Sequence, residues 1–466
     1  MEQYQVIIIG GGPGGYETAI RLSQYKIDCL LIEKERLGGI CLNWGCIPTK
    51  ALVKSAELAR EIAESETYGL PLIKLNVDYS KIFERKNKIV EQLVSGIEFL
   101  YRKRKIPVVH SAATEIIKTT DGYQVQTADG TNLAAKYVII ATGSVPKSLP
   151  GIKIDEIDVL SSTGILSLES LPKSLVVVGG GVIGCEFASI FAAFGVKVSI
   201  VEFLPRLIAT EDEEISKRLA LALKKSGIKV LTNTGVESIE KQDGEMLLRL
   251  NNENELRAEK VLLAVGRIPL FQIKTTGFEL NTEKGAIVID NLMRSSEGGI
   301  YAIGDVTAKL QLAHTASKQG LLAAEHIAHL LLNKPAPTHI LNYLNIPRCT
   351  FTNPEIASVG YTEAEANNRF EEIIVGKFPF SASGKAMAMS ATQGFVKTIA
   401  RKDTGEIVGM HILGPQAAEL IAQGTIMIQN RITAESIEDI IFAHPTLSEA
   451  IMESVEDLRE LSIHKI

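Results

Sequence analysis

Residues 6–22 read VIIIGGGPGGYETAIRL, and this stretch decides the kind of fold the chain adopts. Residues 6–9 form an apolar run of strand length. The run breaks at Gly10-x-Gly12-x-x-Gly15, residues 16–24 carry a helical pattern, and a second apolar run, Cys29–Ile32, ends at Glu33. This is the order of a dinucleotide-binding unit. The first glycine makes a tight turn, the second lets backbone approach a pyrophosphate, and the third allows close helix–strand packing. The helix N-terminus then faces the phosphates, and Glu33 stands where an acid takes ribose hydroxyls.

The unit recurs. Residues 175–178 are apolar, Gly179-x-Gly181-x-x-Gly184 follows, residues 185–194 are helical in pattern, and Lys197–Val201 leads to Glu202. A lone GxGxxG is a weak signal, but two copies, each with strand, helix and acid at matching offsets, imply two dinucleotides. A carboxylate at position 202 bonds ribose hydroxyls and repels a ribose phosphate, which favours NAD over NADP. Arg206, after Leu204-Pro205, reads as a surface residue. Each unit has a matching closing strand, ending at Gly143 (YVIIATG) and Gly266 (VLLAVG). Residues 298–305, GGIYAIGD, deliver Asp305 to a point where a second phosphate or a ribitol can be held.

Residues 38–50, GGICLNWGCIPTK, place Cys41 and Cys46 in a CxxxxC pair with Gly45 against the second thiol. Residues 51–62 read as a helix, and Pro48 fits its first turn, where no amide partner is lost. Thiols at a helix N-terminus sit in a positive field that lowers their pKa, as a redox-active disulfide needs. Taken alone, the pair also reads as two unrelated buried cysteines or as half of a zinc site, although zinc would need two further ligands at short spacing.

Composition excludes several classes. The net charge of −6 gives no reason to expect nucleic acid, and the basic residues 102–105 close a long helical pattern from Tyr79 as a solvated, dipole-complementing end. No run of 18 apolar residues marks a membrane span, and a core strand so close to the start leaves no room for a signal peptide. Five cysteines, three of them isolated (Cys29, Cys185 and Cys349), do not make a secreted disulfide framework, so the expected location is cytoplasmic. His326-x-x-His329 lies in an apolar helical stretch with no third ligand, so no metal is expected. A length of 466 residues suggests about three domains.

Together these landmarks resemble the pyridine nucleotide–disulfide oxidoreductases of class I, from Val6 to about Glu453. The resemblance implies an α/β fold with two Rossmann-like domains, one for FAD and one for NAD, plus an α+β C-terminal dimerisation domain. The expected regions are 1–145 (FAD, with the redox disulfide), 146–267 (NAD), 268–344 (a central region completing the FAD site) and 345–466 (interface). It implies a Cys41–Cys46 disulfide, with Cys41 facing substrate and Cys46 facing flavin. It further implies that His444, held by Glu449 in residues 443–450 (AHPTLSEA), acts as the base in a homodimer. Lys50 would lie beside the flavin with its charge held by Glu186. Gly10, Gly12, Gly15, Glu33, Lys50, Gly143, Asp305 and His314 would hold FAD. Gly179, Gly181, Gly184, Glu202 and Gly266 would hold NAD.

Within the family the match is to members that oxidise dihydrolipoamide on lipoyl domains around an acyltransferase core of 2-oxoacid dehydrogenase complexes. Glutathione reductases would carry basic residues for the NADP phosphate where Glu202 stands. Mercuric reductases and large thioredoxin reductases need a C-terminal thiol or selenol, and this chain ends LSIHKI. Three positions depart from the family pattern: Ile40 where threonine is usual, Trp44 between the thiols, and Leu270 where asparagine is common.

Overall fold

The computed structural model describes residues 2–72 and 76–465. The chain forms two compact units, one of residues 1–52, 78–147 and 266–343, the other of residues 53–77, 148–265 and 344–466.

The first unit is organised by an eight-stranded sheet around Glu2–Ile9, which pairs in parallel with Cys29–Ile32 on one side and Asn132–Ile140 on the other. Residues 6–9 are buried throughout because both sheet faces are covered, which is why this strand reads as an unbroken apolar run. The strand extends back to Glu2 because residues 2–4 still pair with residues 133–135. Ile300–Ala302 joins in parallel beside Asn132–Ile140. The parallel arrangement therefore brings Gly10, Glu33, Gly143 and Asp305 to one sheet end, the carboxyl end where α/β sheets bind ligands.

The first helix begins at Pro13, earlier than its pattern suggests, with Gly14 and Gly15 in its first turn. Glycine costs about 1 kcal/mol in a helix relative to alanine, but packing overrides propensity here. A Cβ on Gly15 would lie 1.8 Å from the Gly10 carbonyl oxygen. The second copy repeats the contact, with 2.0 Å between a Cβ on Gly184 and the Gly179 oxygen. The helix Ala313–Leu332 packs along the first helix, and a Cβ on its Gly320 would lie 2.7 Å from the Gly14 oxygen. His326, on the same helix, pairs through Nδ1 with the Tyr301 hydroxyl at 2.8 Å inside the core. The helix Tyr79–Arg104 ends in exposed Arg102, Lys103 and Arg104, as expected.

Besides a small antiparallel sheet of Val236–Gln242, Glu245–Leu250 and Glu255–Ala258, the second unit holds two five-stranded sheets. One is parallel, in the order Lys229–Leu231, Lys197–Val201, Ser174–Val178, Lys260–Leu263 and Val159–Leu160, with the helix Val182–Ala193 following its Gly-rich turn. The other is antiparallel, in the order Arg348–Thr350, Glu355–Gly360, Ile407–Gly414, Phe395–Arg401 and Ile373–Pro379. Helices Ala417–Gln429 and Glu449–Glu456 pack on it around an apolar core including Met410, Ile412, Leu420 and Ile451. The chain thus adopts the α/β class with an α+β C-terminal region. Among the described residues, no helix is long and apolar enough to cross a membrane.

Candidate active site

In both Gly-rich turns the helix starts at a glycine in extended conformation with no side-chain cap, Gly12 before Pro13–Gln24 and Gly181 before Val182–Ala193. A Cβ on either glycine would meet nothing within 4 Å. Uncapped amides facing open space suit a pyrophosphate. The acids also serve the turns themselves. Glu33 accepts from the amides of Gly11 (2.6 Å) and Glu35 (2.7 Å), and Glu202 from those of Gly180 (2.5 Å) and Leu204 (2.7 Å). Each carboxylate therefore holds the middle of its own glycine turn, a role that spacing alone does not reveal.

Beside the first turn, Ser144 donates to Asp305 Oδ2 at 2.5 Å and accepts from Arg267 Nε at 2.8 Å. Gly304, at φ +73°, donates its amide to Gln319 at 2.6 Å. His314 lies in the first turn of Ala313–Leu332, next to Thr315, whose buried hydroxyl has no hydrogen-bond partner among the described residues. An open helix N-terminus, a fixed acid and an orphaned hydroxyl at one sheet end fit a dinucleotide with further polar groups, as FAD has. Ser144, Arg267 and Thr315 were not legible as site residues, because no motif marks them.

The two thiols stand on successive helices, Cys41 within Gly39–Trp44 and Cys46 as first residue of Cys46–Ala63. This segment is fastened to the first glycine turn, because the Gly38 amide donates to the Gly11 oxygen at 2.8 Å. Gly45 sits against the preceding helix, where a Cβ would lie a tight 3.0 Å from the Ile40 oxygen. Asn43, which sequence reasoning passed over, donates to the Leu37 and Gly39 oxygens, both at 3.0 Å, and so pins the loop between the thiols. The two thiols are hydrogen-bonded to each other. The expected lowering of thiol pKa does not hold for Cys41. Its hydrogen bond to Cys46, burial and the neighbouring sulfur's charge push its thiol well above the ordinary value, against a smaller pull from Lys50. Cys41 is the third residue of its own short helix, so the neighbouring sulfur and burial outweigh the field of that helix start. Lys50 follows Cys46 by one turn on the same helix face.

In the second unit, buried Glu186 on Val182–Ala193 accepts from the Phe351 amide at 2.9 Å. Arg206 departs from expectation. Instead of lying loose on the surface, its guanidinium donates to the carbonyl oxygens of Glu211 (3.0 Å) and Ala209 (2.8 Å). His444 Nδ1 lies 2.8 Å from Glu449 Oε1, while Glu449 Oε2 accepts from the Thr446 amide at 2.8 Å. Burial pushes the Glu449 carboxyl up, but the Thr446 amide and the imidazole outweigh it and hold the group below its ordinary value. The carboxylate thus stays ionised, fixes the ring and leaves Nε2 outward on a side chain that is 78% exposed.

The helix bearing Glu449 is strapped by the chain's end. Buried Glu453 accepts from Ser462 Oγ (2.6 Å), the Ile463 amide (3.0 Å) and His464 Nδ1 (2.5 Å). The Glu453 hydrogen bond and charge raise the His464 pKa above its ordinary value. A raised imidazole pKa gives stability that is complete below the unfolded value, about 6.5, and lost as pH rises through the folded value. Proteolytic release of the tail, normalised to a free peptide, is expected to be slower at about pH 6 than at about pH 8.5. The difference should vanish in His464→Ala, and equal release from the native chain at both values would contradict the strap.

Comparison with known proteins agrees with this geometry. Residues 4–320 match the pyridine nucleotide-disulphide oxidoreductase family, and residues 346–455 match its dimerisation domain. A dihydrolipoyl dehydrogenase of Bacillus subtilis is 39% identical, covering 99% of both chains, and one of Chlamydia pneumoniae is 38% identical, covering 96% of this chain and 95% of its own. Among solved structures, LpdA from Mycobacterium tuberculosis superposes with a TM-score of 0.87 at 25% identity over 98% of this chain and 100% of its own. The HOCl-induced flavoprotein disulfide reductase RclA from Escherichia coli superposes at 0.85 and 28% over 97% and 99%. With both of its parts matched, the chain belongs to the pyridine nucleotide-disulphide oxidoreductase family and is a flavoprotein disulfide oxidoreductase that works with FAD and NAD.

Proposed function

We propose that this chain oxidises protein-bound dihydrolipoamide to lipoamide with NAD+ as acceptor. It would act as the dihydrolipoyl dehydrogenase subunit of 2-oxoacid dehydrogenase or glycine cleavage complexes in the cytoplasm. The observation that carries this reading is the hydrogen-bonded Cys41–Cys46 pair tied to the first glycine turn, in a chain whose second turn ends in Glu202 rather than a cation. The four regions 1–145, 146–267, 268–344 and 345–466, the homodimer, and lipoyl domains around an acyltransferase core as partners belong to the same proposal.

Starting from the disulfide, His444 of the partner subunit takes the proton from one substrate thiol, and Glu449 steadies the imidazolium. The substrate thiolate attacks Cys41 Sγ, so a mixed disulfide forms, the Cys41–Cys46 bond breaks, and Cys46 leaves as thiolate. The second substrate thiol passes its proton to the Cys41 sulfur as it attacks the first sulfur, the bond to Cys41 breaks, cyclic disulfide departs, and Cys41 is left as a thiol. The substrate has lost two electrons and the cysteine pair has gained them, which is the dithiol state described above. The first glycine turn would hold FAD, which when bound would supply two-electron chemistry between the cysteine pair and NAD+. Lys50 would supply a cation to the flavin site, and Glu186 would keep the supporting role the resemblance gives it.

A substrate panel tests this reading. Turnover is expected with dihydrolipoamide and NAD+, and none with glutathione disulfide and NADPH. The reverse pattern would overturn it.

A further inference from the structure

Strand register in the antiparallel sheet places five residues in one row. Arg348 is paired with Ser358, Ser358 with His411, His411 with Lys397, and Lys397 with Lys377, across all five strands. Paired residues share a face, so the sheet presents Arg, Ser, His, Lys and Lys side by side. The start of the helix Glu213–Lys225 lies along this row. Arg348 Nε is 3.2 Å from Glu211, Lys397 Nζ is 2.9 Å from Asp212, and Lys377 Nζ is 2.6 Å from Glu214. Lys397, only 1% exposed, also reaches Glu363 at 2.6 Å. Asp212 doubles as the helix N-cap, accepting from the Glu214 amide at 3.0 Å. His411 is fully buried, with Nε2 on the Tyr361 carbonyl at 2.9 Å. Its Nδ1, Glu211 Oε2 and Arg348 Nη2 have no hydrogen-bond partner among the described residues. A buried charge row with unmet atoms is a costly way to hold two elements together, which points to a use beyond stability.

The acidic segment continues back into the second glycine turn. Residues 203–212 run from the residue after Glu202 to Asp212. Arg206 clamps the Glu211 and Ala209 oxygens, the Ile208 amide donates to the Gly180 oxygen at 2.8 Å, and Leu207 packs under Gly180. Ile208 has φ +42°, a conformation that a β-branched residue adopts only when both flanks impose it. The glycine turn is one flank, and the charge row is the other.

We propose that Lys397 and Asp212 are positioning residues for NAD+, setting Glu202 and the Gly180 turn through the strained 203–212 loop. The proposal rests on the reading of the second glycine turn as the NAD+ site. It is tested on the FAD-loaded protein in its native assembly by direct NADH titration and by hydrogen exchange.

Lys397→Met is expected to weaken NADH binding about tenfold and to speed exchange at the Leu204 and Ile208 amides. Flavin reduction by saturating dihydrolipoamide without NAD+ should stay within about twofold. Should the single variant fail to fold, the double variant Lys397→Met with Asp212→Leu removes both charges and is expected to show the same weakening. In the native chain, NADH should increase protection beyond residues 179–208, through residues 209–216 and into Phe395–Arg401. Native affinity in a folded variant, or NADH-induced protection confined to the glycine turn, would overturn the proposal. Glu202→Ala separates the two readings. If it weakens NADH binding and Lys397→Met does not, only the positioning role fails. If neither matters, the NAD+ site reading fails.

Discussion

Cys46→Ser is expected to reduce dithiol-dependent NAD+ reduction to background, a fall of roughly a thousandfold or more, while the protein keeps its bound FAD. The exchange chemistry needs two sulfurs that can join, because a lone Cys41 can neither accept nor store the electron pair. The structural effect should be small. Cys46 is the first residue of its helix, where serine is well tolerated, and the loop is held by Asn43 and by the Gly38–Gly11 hydrogen bond rather than by the sulfur. Steady-state turnover with dihydrolipoamide and flavin absorbance together decide the matter. Native turnover in a flavin-loaded Cys46→Ser protein would remove the cysteine pair from the mechanism.

The second large effect concerns the exposed imidazole. His444→Gln is expected to slow reduction of the protein by dithiol by about 10²–10⁴-fold, the usual worth of a positioned general base. Reduction of flavin by NADH should change by no more than about threefold, because no substrate proton moves in that half. Glu449→Gln should show the same asymmetry at smaller amplitude. Without the carboxylate, the 2.8 Å contact that orients the ring loses its charge. The depressed Glu449 carboxyl keeps this support present above its unfolded value, about 4.3, and loses it only as pH falls through the lower folded value. The pair therefore stays assembled across neutral pH. Stopped-flow measurement of the two half-reactions checks the asymmetry, and equal slowing of both would assign His444 a structural role.

Fold and site differ in how far sequence alone exposes them. The glycine turns were legible because their constraint is local. The carbonyl of Gly10 leaves no room for a side chain five residues later, so the requirement is written within a short window, and its repetition at Gly179 and Gly184 made it unmistakable. The thiol pair and the His444–Glu449 pair are likewise close in sequence. Arg206 was misread because its partners are backbone carbonyls, which carry no residue signature. The direction of the Cys41 shift was misread because the neighbouring sulfur and burial outweigh the field of the helix start at which Cys41 stands, and neither is written in the spacing.

By itself, then, the amino-acid sequence determined the two dinucleotide turns, the α/β class and the candidate redox residues, each through contacts a few residues apart or through periodic burial. Only the tertiary structure decided which charges meet. Arg348, Ser358, His411, Lys397 and Lys377 are scattered along the chain and form one row because side chains paired across strands share a face. Lys397 meets Asp212 across 185 residues because a buried charge needs opposite charge and hydrogen bonds, which Asp212 and Glu363 give the lysine.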